Sequence, residues 1–110
     1  MKKLFTNYNF EFDKNEKKLL STFCKQTLKQ LETDNKYFAE RRAFSSILDK
    51  LAAQDGIIKL TKDERTKLVF QLKNNISFLE KEIKSSWFIK KWIYNSLYKQ
   101  YKSLMQKHFS

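Results

Sequence analysis

The chain has 110 residues, 41% of them apolar, with no proline, one glycine, one cysteine, one histidine and a formal net charge of +11. That length suits one domain with its own core. So few turn-formers exclude a turn-rich all-β fold, and one cysteine excludes an internal disulfide and, with one histidine, a structural zinc site within one chain. The charge points to anionic partners: nucleic acid, an acidic membrane face or an acidic protein.

Residues 1–12 read as an N-terminal arm, in which Tyr8, Phe10 and Phe12 alternate with Asn9 and Glu11. The arm is expected to lie extended and bury those rings, although one short alternating piece without a partner makes no sheet. Met1-Lys2-Lys3-Leu4-Phe5 opens like a signal peptide, but Asn7, Asn9, Glu11 and Asp13 break any apolar run. Nothing approaches the roughly 18 apolar residues of a spanning helix. The expectation is a cytoplasmic protein.

Residues 13–110 read as one helical domain. Asp13, with Glu16 three residues on, predicts a capping box and a helix to about residue 32. Leu19, Leu20, Phe23, Cys24, Thr27, Leu28 and Leu31 fall on its apolar face, with Lys18, Lys25 and Lys29 behind. Cys24 there reads as a small hydrophobe. Thr33-Asp34-Asn35 is the break. A second helix over about 36–54 buries Tyr37, Phe44, Ile47, Leu48 and Leu51 and ends at Gly56. Ile57-Ile58-Lys59-Leu60 is short and extended. Thr61 and Glu64 form the next capping box, opening a helix with Leu68, Leu72, Ile76, Leu79 and Ile83 on one arc and Phe70 and Phe78 away from it. Ser85-Ser86 is read as a tight turn before the last helix, the alternative being one bent helix of more than forty residues that runs through. The fold expected is all-α: an antiparallel four-helix bundle with a short N-terminal extended arm.

Catalytic and metal chemistry find little support. Asp55-Gly56-Ile57-Ile58 matches the middle of an EF-hand loop, but that register puts Leu51 and Ala53 at two ligand positions and Lys62 at the bidentate one. A helix-turn-helix over residues 44–72 would aim Asp63 and Glu64 at phosphate, offset in part by Lys59, Lys62 and Arg65. No nucleophile–base set, apolar carboxylate pair or phosphate-binding glycine run is present. The expectation is a non-enzyme without metal or cofactor.

The stretch from Trp87 to Phe109 holds both tryptophans, and the chain has no acidic residue after Glu82. On a helix Ile93, Leu97, Tyr101 and Leu104 share one face, with Trp87, Tyr94 and Met105 beside them. Phe88 and Trp92 fall among the lysines. Two readings stand open: a helix wrapped on two sides, or an exposed patch of Phe88, Lys91, Trp92, Lys99 and Lys102. Such a patch suits an acidic protein or an anionic membrane surface. Nucleic acid is the alternative partner, met by the same lysines with Lys59, Lys62 and Arg65 as further contacts. The oligomeric state is not readable.

Ile57-Ile58-Lys59-Leu60-Thr61-Lys62-Asp63-Glu64 resembles the link that opens a later helix in small, basic, four-helix bacteriocin immunity proteins. Size, charge and helix count are similar too. The resemblance implies action at the inner membrane face against a toxin–receptor complex. It assigns no functional residue.

Overall fold

A computed structural model of the chain describes residues 8–32, 35–53, 56–85 and 88–109, without the side chains of Asn35, Phe88 and Ile89. About 85% of the described residues are helical. The elements run β1 (Tyr8–Glu11), α1 (Lys14–Leu31), a 3₁₀ turn (Asn35–Tyr37), α2 (Phe38–Ala53), β2 (Ile57–Leu60), α3 (Lys62–Ser85) and α4 (Phe88–His108). The all-α class, its four helices and, from Tyr8 on, the extended arm are those the sequence predicts; residues 1–7 of the arm lie outside the described residues. The chain divides into two compact units, residues 1–67 and 68–110.

In the first unit each helix start is set by local chemistry. The Asp13 carboxylate accepts from the Glu16 amide at 2.8 Å, and the Glu16 carboxylate accepts from the Asp13 amide at 2.9 Å. Two of the four orphan donors of a helix start are thereby satisfied. α1 buries Leu20, Phe23, Cys24, Thr27 and Leu31, and keeps Lys18, Lys25 and Lys29 in water. The Thr27 hydroxyl donates to the Phe23 carbonyl, which satisfies it inside the core. α1 packs on α2, where Phe23 meets Phe44 edge to face at 6.4 Å. Ala43, Phe44, Ile47 and Leu51 are the buried face of α2.

Tyr37 corrects the predicted second helix. It lies in the 3₁₀ turn ahead of α2, where the α-helical phase does not reach, and its ring is exposed. Most of the Thr33-Asp34-Asn35 break lies outside the described residues, as does the end of the second helix beyond Ala53.

The arm finds its partner in β2. The two strands pair antiparallel, with Phe10 opposite Ile58 and Tyr8 opposite Leu60. Phe10, Ile58 and Leu60 are buried, while Asn9, Glu11, Ile57 and Lys59 face water. Phe12 stacks on Phe10 with ring centroids 5.4 Å apart. Gly56 enters β2 with φ of +80°, a conformation that disfavours any side chain, although the space around it is open.

In the second unit α3 buries Leu68, Leu72, Ile76 and Leu79, and α4 buries Tyr101 and Leu104, with Phe109 just beyond it. The Tyr98 hydroxyl donates to the Glu80 carboxylate at 3.4 Å. Residues eighteen apart on one straight helix would stand about 27 Å apart. α4 therefore folds back on α3, as the turn reading requires. Ser86 and Trp87 lie outside the described residues.

Candidate functional site

α4 forms because its 21 residues contain neither glycine nor proline, and it ends with Lys107 and His108 at the negative pole of its dipole. At 100° per residue, the buried Tyr101 and Leu104 and the half-buried Tyr94, Leu97, Tyr98 and Met105 share one side. The opposite side carries Trp92, Ser96, Lys99, Ser103 and Gln106, all exposed. Lys91 and Lys102 border it and are exposed too. Trp92 sits in the middle of this outer face with 75% of its surface in water. The Lys102 ammonium lies 5.9 Å from the Tyr98 ring centroid, within cation–π range.

Ile93 shows where along the helix the exposure lies. It falls almost in phase with Leu104, yet Ile93 is 47% exposed and Leu104 is 1% exposed. Helical phase is not the cause. At Ile93 α4 stands clear of the packing that covers Leu104. The apolar face expected from Ile93 to Leu104 therefore holds only from Leu97 onward.

Of the sequence-derived patch, Lys91, Trp92, Lys99 and Lys102 are brought to one exposed stretch of helix. Phe88 opens α4, and its side chain is outside the described residues, as is Trp87. No acidic side chain belongs to α4, whose five lysines are all exposed. On α3, Phe70 and Phe78 are 61% and 53% exposed, with Lys73 and Lys81 near them in helical phase. Their departure from the apolar arc was the signal for that second aromatic–lysine face.

The suggested nucleic-acid contacts fall in the other unit. Lys59 and Lys62 are exposed, on β2 and at the start of α3. Arg65 is half-buried, its guanidinium 5.1 Å from the Tyr8 ring centroid. Beside them Asp63 is held by Lys67 at 2.5 Å.

One polar cluster escapes sequence reading. Glu64 is buried at the start of α3, where it closes the capping box with Thr61. Its carboxylate also accepts from the Ser46 hydroxyl at 2.5 Å and the Lys50 ammonium at 2.6 Å, both on α2. Burial pushes its pKa up, but the hydrogen bonds from Lys50 and Ser46 outweigh burial and hold it below the ordinary value. A cleft of about 300 Å³ lies alongside, lined by Ala39, Arg42, Ser46, Thr61 and Glu64 among others. With its acceptors committed to these donors, Glu64 works as a strut between α2 and α3.

Cys24 is fully buried, and desolvation raises its thiol pKa to about 12. His108 meets Phe109 edge to face. No cluster of three or more potential metal ligands occurs among the described residues. No described helix is long and apolar enough to cross a membrane. No family model, curated protein or solved structure matches the chain.

Proposed function

We propose that this is a small, basic, non-catalytic binding protein of the cytoplasm that engages an acidic protein or membrane surface through the aromatic–lysine face of α4. The exposure of Trp92 carries the reading. Keeping an indole in water forgoes a few kcal/mol of burial that a small domain has every reason to use. The ring stands on a helix face whose only charges are lysines, which suits an anionic counter-surface. Neither buried group is set up for catalysis: the buried carboxylate is committed to three donors, and the thiol is buried and protonated.

Trp92→Ala combined with Lys99→Glu tests the reading. The double variant is expected to lose retention on polyglutamate beads and on anionic vesicles while its far-ultraviolet circular dichroism stays that of the parent. Undiminished retention on both would overturn the assignment of the face.

A further inference from the structure

The second unit differs from the first in the kind of cation it carries. Residues 68–110 contain eight lysines, no arginine and two acidic residues, whereas all three arginines, Arg41, Arg42 and Arg65, lie in residues 1–67. This matters for the choice of partner. A protein carboxylate is best met by arginine, whose planar fork binds it through two hydrogen bonds. Protein–protein interfaces are accordingly enriched in arginine and depleted in lysine and serine. The outer face of α4 has the reverse composition: Lys91, Lys99 and Lys102 with Ser96, Ser103 and Gln106 around one indole.

The surroundings of the ring argue the same way. A protein hot spot sits in a well-packed, fully desolvated pocket, ringed by near-neutral contacts that exclude water. Trp92 has polar and cationic neighbours on its face and 75% of its surface in solvent. A stacking platform for unpaired bases presents successive rings along a groove, and among its described side chains this face offers one. A bilayer needs neither pocket nor groove. Its headgroup layer collects negative charge without fixed geometry, which suits a hydrated ammonium on a flexible stem, and the same layer favours indole.

We propose that α4 is a peripheral docking helix for anionic lipid bilayers. The ammonium groups of Lys91, Lys99 and Lys102 meet lipid phosphates, and the Trp92 indole enters the headgroup zone. The proposal rests on the α4 face being the binding surface and names its partner. The described ring and three charges make a reversible attachment, not an anchored one.

Vesicles of equal parts phosphatidylglycerol and phosphatidylcholine test it, against vesicles of phosphatidylcholine alone. Wild-type protein is expected to co-sediment with the mixed vesicles only. Lys91→Gln, Lys99→Gln and Lys102→Gln each weaken partition about fivefold, the equivalent of one surface lysine. Trp92→Ala weakens it about tenfold or more. In a Trp87→Phe background, which leaves Trp92 as the one emitter, the mixed vesicles shift emission to the blue. Phe38→Ala removes another exposed ring, 59% exposed on α2 with Arg42 over it, and leaves partition unchanged.

Equal binding to neutral vesicles, or loss with Phe38→Ala as large as with Trp92→Ala, overturns the proposal. Binding to polyglutamate or to a single-stranded oligonucleotide but not to vesicles also overturns it. If that binding is lost in Trp92→Ala with Lys99→Glu, the α4 face survives with another partner. Absence of binding to all of them removes both.

Discussion

Glu64 ties an amide, a hydroxyl and an ammonium together across two helices. Glu64→Gln keeps the shape but replaces one acceptor oxygen by a donor amide and removes the charge that faces Lys50. It is expected to cost about 1–3 kcal/mol, read from urea unfolding at neutral pH. The sign of the pH dependence follows from the lowered pKa. A carboxyl whose folded value lies under the ordinary 4.5 stabilises fully above its unfolded value and loses that contribution as pH falls through the folded one. The gap between wild type and Glu64→Gln should thus be constant above about pH 5.5 and shrink in stronger acid. A gap that widens in acid would contradict the strut. Cys24 makes the opposite statement about burial. With its thiol pKa near 12, it should resist a thiol-exchange reagent at pH 8 and react at once in denaturant. Rapid reaction of the folded protein would show that α1 opens readily.

Two substitutions on α4 separate its faces. Leu104→Ala removes a side chain that is 1% exposed and should cost about 2–5 kcal/mol. Trp92→Ala should leave the unfolding free energy unchanged to within about 0.5 kcal/mol, because little of the ring is buried. Comparable destabilisation by both would mean that the indole is part of the packing. The sequence could not decide this, since periodicity assigns phase but not how far along a helix the packing extends. Ile93 and Leu104 share a phase and differ in exposure for that reason. Where a signal is local it reads well. Asp13 with Glu16 and Thr61 with Glu64 are each complete within four residues, and both capping boxes form. Where a signal needs a distant partner it fails. The alternation of Tyr8 to Phe12 is visible, but its pairing with Ile57–Leu60 is not. Ser46 and Lys50 reach Glu64 only because α2 packs beside the start of α3.

At the scale of the whole molecule the question is whether the net charge or its placement does the work. The formal +11 is spread over both units, and a uniformly basic protein adheres to any anionic surface. Screening limits how far spread charge can act: at physiological ionic strength the Debye length is about 8 Å, so only lysines within about that distance of a contact contribute much to it. Lys18, Lys25 and Lys29 are exposed on the back of α1, and Lys91, Lys99 and Lys102 are exposed on α4. Changing either trio to glutamate lowers the net charge by six, to +5, so the two variants are matched in charge and differ only in where it sits. The α1 variant is expected to keep most of its retention on anionic vesicles near physiological salt, and the α4 variant to lose it. At low salt, where the Debye length reaches about 30 Å, the difference should narrow as charges outside the contact begin to count wherever they sit. Equal loss by the two variants at physiological salt would make adhesion a property of total charge and take the special role away from α4. A difference that grows as salt is removed would contradict the screening argument itself.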